Sequence, residues 1–462
     1  MNDGGEKRVL LFVASLASFL VPYTVSSLNV ALPAIAGSFG LDAVTLGWVT
    51  SAYLLTAAVC IVPFGKLADI YGKKRFFLLG NLLFVIGSLL AALSWAGPVI
   101  VAARVIQGLG GGMVFGTSIA ILTAVFPPGE RGRAIGIVTA TVYAGLSLGP
   151  FIGGVLVQHA GWQSIFLVNV PLGIAVIVLT LYRIPGEWAE DTNRQFDLPG
   201  AVLYGTMLIG IMYGLTLIPS PEGIIWTGAG LIILCSFVWW EKKAAVPLIE
   251  PSLFSGNRVF LYSNAASMIN YAVVFAVGFL MSLYLQFIRG IDPQTTGLIL
   301  VAQPVVQVLV SPVSGHLSDF IEPRLLATAG MALTTLGLGI LALISPATPV
   351  LVIVAGMVIL GLGYGLFSSP NTNAIMSSVD LRQLGIASAM VSTSRAIGQM
   401  FSLAIAMLVF STVIGTVRIT PAVYPGLQLS MTIIFSTFVV LGLFGILASY
   451  ARGPTKDQRK DA

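Results

Sequence analysis

The stretch Gly65-Lys-Leu-Ala-Asp69-Ile-Tyr-Gly72-Lys73-Lys74-Arg75 lies between two long apolar runs and is the densest cluster of charge in the first 180 residues. Its opening returns 250 positions later as Gly315-His-Leu-Ser-Asp319. A second pair of phrases keeps nearly the same spacing: Arg131-Gly-Arg-Ala-Ile-Gly136 is echoed 251 positions on by Arg382-Gln-Leu-Gly-Ile-Ala387. Two echoes at almost one offset divide the chain into two related halves, each with a tight charged turn at the same point.

The runs around these turns are membrane spans. Of 462 residues 56% are apolar and 9% charged, where a soluble domain carries roughly a quarter charged. A spanning helix needs about 20 apolar residues, and in lipid its backbone polar groups must find partners within the segment, so the runs are helices. Counting charge-free runs gives fourteen. The first lies within Val9–Leu41, is too long for a signal-peptide core, and is expected to end near Leu32-Pro33. The next are Ala43–Gly65, Phe76–Gly97 and Pro98–Phe126, then two within Ala134–Tyr182 broken at His159–Trp162. Leu198–Pro221 and Gly223–Trp240 are the seventh and eighth, without embedded charge, which fits lipid-facing helices. Val259–Ile288 and Pro293–Ser318 follow, then two within Leu325–Val379, then Gln383–Val417 and a last helix from Pro425 to about Ala451.

Placing the N-terminus in the cytoplasm puts nineteen of the 23 basic residues in inner loops and tails. Only Arg289 and Arg418 fall in outer loops, and Arg104 and Arg395 fall inside helices. This positive-inside bias predicts cytoplasmic termini. The resulting organisation is a six-helix bundle over residues 1–184, two inserted helices with linkers over 185–257, a second six-helix bundle over 258–451 and a cytoplasmic tail, 452–462. Parallel six-helix repeats are how many secondary transporters are built, with the substrate near midplane between halves. Cys60 and Cys235 sit singly in apolar runs and read as small core residues, with neither disulfide nor metal spacing. No phosphate-binding loop, metal cluster or nucleophile–base pair is visible, so neither ATP, a metal, a cofactor nor an enzymatic reaction is expected.

The sequence resembles the major facilitator superfamily, in particular its fourteen-helix drug:proton antiporters, over nearly the whole chain. Gly65–Arg75 resembles that family's helix two/three loop motif, and Arg104-Val-Ile-Gln107-Gly108-Leu-Gly110-Gly111 its fourth-helix motif. Gly136, Gly145, Gly149-Pro150 and Gly153-Gly154 match the fifth-helix antiporter motif at every spacing. Asn29-Val-Ala-Leu-Pro33 and Phe166-Leu-Val-Asn169-Val-Pro171 match phrases of the fourteen-helix group. The resemblance implies the two-bundle fold, export of a drug-like compound, a proton-coupling part for Arg104, and a flexible seam on the fifth helix.

The residues have physical readings of their own. Gly65, Gly72 and Gly315 allow a tight turn and close helix approach. Asp69 and Asp319, at helix ends, can meet a helix N-terminus or a basic side chain as the halves close. Lys73, Lys74 and Arg75 hold the turn at an anionic leaflet, and a purely topological anchor is the plainer alternative to a gate. Gly145, Gly149 and Gly153 recur every four residues, so that helix can touch a neighbour, with Pro150 adding a kink. Arg104, inside a helix, should face the bundle interior and share its donors with Gln107; snorkelling to the interface is the alternative. Arg395 divides evenly between packing and function.

Related antiporters carry a carboxylate five residues before the Asn of Asn29-Val-Ala-Leu-Pro33; here that position is Thr24. None of the eighteen acids can be placed deep in a helix, which weakens both the cationic substrate and carboxylate-mediated proton exchange. The cavity should be polar-neutral and aromatic. In the first half the candidates are Tyr23, Thr24, Asn29, Tyr53 and Tyr143, with Gln107. In the second they are Asn270, Gln303, Gln307, Asn371 and Arg395, joined by Asn264, Gln286 and Asn373. The expected function is export of a small amphipathic compound in exchange for protons by alternating access, from a prokaryotic cell membrane, by a monomer in the lipid bilayer with no nucleic-acid partner. Two alternatives remain open: a proton-independent facilitator or symporter of a neutral or anionic metabolite, and a membrane sensor or scaffold without transport. The acidic loop Glu187–Asp197 reads as a solvated linker.

Overall fold

The computed structural model describes residues 3–184, 186–189, 195–249, 256–318, 320–379 and 383–453. Among them fourteen helices are long and apolar enough to cross a membrane. In chain order they are α1 (Asp3–Phe39), α2 (Ala43–Tyr71), α3 (Lys73–Ala92), α4 (Gly97–Val125) and α5 (Pro128–Ala160). Then come α6 (Ser164–Arg183), α7 (Leu198–Leu217), α8 (Pro221–Glu241), α9 (Arg258–Ile288) and α10 (Pro293–Leu317). The last four are α11 (Pro323–Ala342), α12 (Val350–Ser377), α13 (Leu384–Val413) and α14 (Pro421–Ala451).

Two expected helix ends are corrected. α1 runs through Pro22 and Pro33 to Phe39 instead of stopping at Leu32-Pro33, because a span surrounded by other helices tolerates the lost backbone donor. α2 runs through Gly65 to Tyr71. Glycine is a weak helix former but no stop, and a side chain at position 65 would meet nothing within 4 Å. The charged stretch is therefore mostly helix, and the turn is the single residue Gly72, at φ 116°.

The chain divides into two compact units. The first comprises Met1–Leu208 with Asp292–Leu298. Within it α1 packs on α5 and α6, α3 on α4 and α6, and α2 on α4. The second comprises Ile209–Ile291 with Ile299–Ala462. Within it α9 packs on α13 and α14, and α11 on α12 and α14. The sequence echo at offset 250 is thus also an echo in packing: four of these five pairings recur in the second unit with eight added to each number. The division falls inside α7, which is one unbroken helix.

Lipid tails are as apolar as leucine, so helices adhere by close packing and internal hydrogen bonds. The α7–α8 pair shows this: side chains at Gly214 or Gly230 would collide with the facing backbone, and one at Gly210 would fit tightly. The other face of α8 is left bare, with Ile225 and Ile232 each 69% exposed. Cys235, on the same helix, is exposed too, which corrects its reading as a core residue; Cys60 is buried.

Candidate functional site

The turn at Gly72 is held from outside its own sequence. A Cβ at Gly72 would overlap the Glu187 carboxylate, and φ 116° is a region side chains avoid. Glu187 accepts the backbone N–H of Lys74 at 2.7 Å and faces Arg75 Nε at 3.6 Å. Lys73 N donates to the Trp188 carbonyl at 2.9 Å, and Lys74 Nζ to the Ile184 carbonyl at 2.5 Å. Asp69 pairs with Lys73, one turn on, at 3.2 Å. The linker reading of Glu187 is therefore corrected: its charge is used against the α2–α3 turn. In the second unit the turn before α11 keeps Glu322 on Arg324 at 3.0 Å, and Arg324 lies 5.0 Å from the Tyr450 ring centre. Each unit thus ties this turn to the end of its sixth helix, by Lys74 and Ile184 in one and by Arg324 and Tyr450 in the other. Gly315 has open packing, its nearest neighbour being Ser369 at 3.6 Å from a built Cβ, and Asp319 lies outside the described residues.

Arg104 does not snorkel. It is fully buried between α2, α3, α4 and α6. Its Nε donates to the Val49 carbonyl at 2.9 Å, its Nη1 donates to Gln107 Oε1, and its guanidinium lies 4.3 Å from the Tyr53 ring centre. Gln107 Nε2 in turn donates to Ser88 Oγ at 2.7 Å, and Ser88 to the Phe84 carbonyl at 2.7 Å. Glycines make room for the chain of contacts: a Cβ at Gly87 would lie 2.5 Å from Gln107 N. Arg104 Nη2 and Tyr53 Oη are buried without a hydrogen-bond partner, and no carboxylate pairs with Arg104 among the described residues. This is a positive charge out of water, met by one carbonyl, one amide and two aromatic rings, Tyr53 and, at 6.0 Å, Phe166.

The fifth-helix glycines lie along α1, in the same unit. A Cβ at Gly145 would stand 2.5 Å from the Phe19 carbonyl, one at Gly153 would stand 2.8 Å from Ser27 Cβ, and one at Gly149 would overlap Ser26 Oγ. Ser26 Oγ donates to the Gly145 carbonyl at 3.1 Å, so the seam is bonded as well as packed. Gly154 looks elsewhere, 2.6 Å from the Pro293 carbonyl, and a Cβ at Gly297 would overlap the Pro150 carbonyl. Gly136 meets nothing within 4 Å, so its place in the motif has no packing reason.

The cavity candidates separate into satisfied and unsatisfied groups. Thr24 is buried and donates to the Leu20 carbonyl at 2.8 Å, so its hydroxyl is spent on its own helix. Asn371 donates to the Ser263 carbonyl at 3.1 Å and accepts from Arg452 at 3.0 Å; Asn264 accepts from Ser394 at 3.1 Å. Gln286 and Asn373 also hold neighbouring hydroxyls, Ser282 at 3.0 Å and Ser318 at 3.2 Å. Asn270 donates to Met331 Sδ at 3.1 Å, leaving Oδ1 buried and unpartnered, as is Oδ1 of half-buried Asn29. Tyr23 stacks on Phe19 with centres 5.7 Å apart. Tyr143 and Gln303 are half-buried and Gln307 buried. Arg395 lies 5.0 Å from the Tyr271 ring centre.

Arg452 was expected in the tail and is instead buried at the end of α14, with Nη1 bonded to Ser263 and Asn371. Burial pushes its guanidinium down to about 10, against the pull of Glu322. A basic residue directly after an apolar run reads as an interface anchor, so nothing local in the sequence marked it, or Glu187, as internal.

The profile of the Major Facilitator Superfamily matches residues 14–403 and 263–461. The riboflavin transporter RibZ of Clostridioides difficile (strain 630) is 32% identical over 391 residues, 84% of this chain and 85% of that protein. The multidrug resistance protein Stp of Mycobacterium tuberculosis (strain CDC 1551 / Oshkosh) is 35% identical over 404 residues, 86% of this chain and 74% of that protein. Among solved structures, the peptide transporter POT in complex with alafosfalin superposes with a TM-score of 0.71 at 15% identity, covering 98% of this chain and 99% of the other. At that identity the likeness speaks for the fold.

Proposed function

The chain belongs to the Major Facilitator Superfamily, and on that footing we propose that it exports a small amphipathic or drug-like compound in exchange for protons by alternating access. It is a multi-pass membrane transporter. The observation that carries the coupling is Arg104. An ion held dry without a carboxylate biases the protonation of any group or solute in its field far more than one in water would. Its unpartnered Nη2 leaves one donor ready for a new acceptor. The similarity to a multidrug resistance protein supports outward transport of a drug-like compound. The basic residues gathered on one side support cytoplasmic termini, and the protein acts as a monomer in the cell membrane.

A second reading is favoured by Thr24, whose hydroxyl is spent on Leu20 where an acid would bind a cation or a proton. Together with the similarity to a riboflavin transporter, it supports a proton-independent facilitator or symporter of a neutral or anionic metabolite.

Proteoliposomes holding only this protein separate the two. Cationic, neutral and anionic amphiphiles are loaded and efflux is followed with and without an imposed pH gradient. Movement against a concentration gradient only when the pH gradient is present supports the antiporter. Movement indifferent to pH removes it and leaves the facilitator.

A further inference from the structure

We propose that α8 carries a binding site for an anionic phospholipid of the leaflet at its Lys242 end. Lys242 and Lys243 take the headgroup, and the bare face of the helix lies along the acyl chains. The α7–α8 pair stands outside the sequence repeat, and the site gives its second helix a role of its own.

One side of α8 is spent on protein. Gly223 and Gly230 are pressed against α7 and the turn after it, where a Cβ would stand 2.5 Å from Ile218 N and 2.6 Å from Ile211 N. The rest of the helix presents large branched side chains: Ile224, Ile225, Leu231, Ile232 and Val238 are all exposed. Its 21 residues span about 30 Å, the depth of the hydrocarbon layer, so its ends lie at the two headgroup levels. At one end Trp239 is exposed, and its ring centre lies 4.0 Å from Lys243 Nζ. Lys242 and Lys243 are exposed as well, and neither pairs with a carboxylate among the described residues. Their neighbour Glu241 is turned inward, 4% exposed, with Oε2 accepting the Ile249 amide at 2.8 Å. An indole and two outward cations at headgroup depth suit an anionic headgroup.

Charge and shape decide what covers this face. Two full positive charges outweigh the half charge of the free carbonyls at a helix end, so the Lys242 end attracts an anion. The opposite end carries exposed Glu222 and no basic residue in its first turn, so the attraction is confined to one leaflet. Phosphatidylcholine fills the apolar face equally well but sets its own ammonium against the lysines. A second copy of the chain fits worse. A two-fold axis along the membrane normal would bring both Lys242–Lys243 pairs together, like charge against like. Helix interfaces in lipid also favour small residues, and Gly223 and Gly230 are already used on the α7 side.

Cys235 is exposed on this face, about two turns from Lys242, and Cys60 is buried. A bimane maleimide added to the folded full-length protein therefore reports on the site. In nanodiscs of phosphatidylcholine, part of the lipid is replaced by brominated phosphatidylglycerol or by brominated phosphatidylcholine with the same chains. Quenching of the bimane measures how often each lies there. The expected result is phosphatidylglycerol held about tenfold tighter or more, as about fivefold for each lysine compounds, with the preference shrinking as salt rises. Lys242→Gln with Lys243→Gln should bring the two lipids to parity without lowering the melting temperature, since both side chains are exposed. Ile224→Cys in a Cys235→Ser protein moves the label to the Glu222 end and should show no preference for phosphatidylglycerol. Equal quenching by the two lipids at Cys235, or a preference that survives the double lysine substitution, overturns the site. So does the same preference at both ends, which would belong to the bilayer as a whole. Absence of quenching by either lipid overturns it too, because protein then covers the face.

Discussion

The carboxylate of Glu187 accepts the backbone N–H of Lys74 at 2.7 Å across 113 positions of chain. With Trp188 receiving the next amide back, at Lys73, the segment leaving α6 closes over the turn between α2 and α3. The charged turn is then a fastened element of the first unit, and Asp69 sits in it already paired with Lys73.

Gly72→Ala should destabilise the protein by about 1–3 kcal/mol, since it adds strain at positive φ and a collision with Glu187. Glu187→Ala should destabilise less, and the double variant should be more stable than the sum of the two, because the collision vanishes with the carboxylate. Strict additivity in melting temperature would mean that the two residues do not touch.

Arg104→Lys should lower pH-gradient-driven transport about hundredfold, the scale of losing a charged hydrogen bond and a stacked guanidinium at a buried site. A lysine cannot hold the Val49 carbonyl, Gln107 and the Tyr53 face together. Transport is compared with and without the gradient at equal protein insertion. A variant as fast as the parent, with coupling intact, removes Arg104 from the proposed mechanism.

Gly145→Ala should cost about 1–3 kcal/mol through overpacking, because the new methyl faces the Phe19 carbonyl at 2.5 Å and a backbone cannot swing aside. Gly136→Ala has open space around it and should raise helix stability by up to about 1 kcal/mol. Paired thermal melts of the two variants check the difference in sign.

Asp292 caps α10, its carboxylate accepting the Thr295 amide at 2.9 Å. That bond holds the Asp292 carboxyl below the usual carboxylate range. A lowered native value stabilises above the unfolded value near 3.9 and loses its effect as pH falls through the native one. Hydrogen-exchange protection of the Thr295 amide should accordingly persist at neutral pH and drop in strong acid. Asp292→Asn should remove the pH dependence while keeping part of the protection.

The number of spans and the doubled architecture were legible because burial in lipid strips charge from whole segments, and such gaps are visible at any alignment of the eye. The ends of α1 and α2 were not. Pro33 breaks helices in water and Gly65 weakens them, by rules that lose force when neighbouring spans surround the backbone. Arg104 with Gln107 was legible because three residues along one helix are always neighbours. Glu187 and Arg452 were missed for the opposite reason: their partners are Lys74 and Asn371, brought to them only by tertiary packing. A charge beside an apolar run looks the same whether it faces water or turns inward.

At one level of the α1–α5 seam there is space for a single hydroxymethyl group, and Ser26 of α1 fills it against Gly149. The two positions therefore form one locus of variation. Enlarging either alone overfills the level, and emptying Ser26 alone opens a void and frees the Gly145 carbonyl. Exchanging them, as Ser26→Gly with Gly149→Ser, conserves the occupied volume and the hydroxyl while moving its owner to the other helix. Substitutions that drift through this seam must do so in reciprocal pairs.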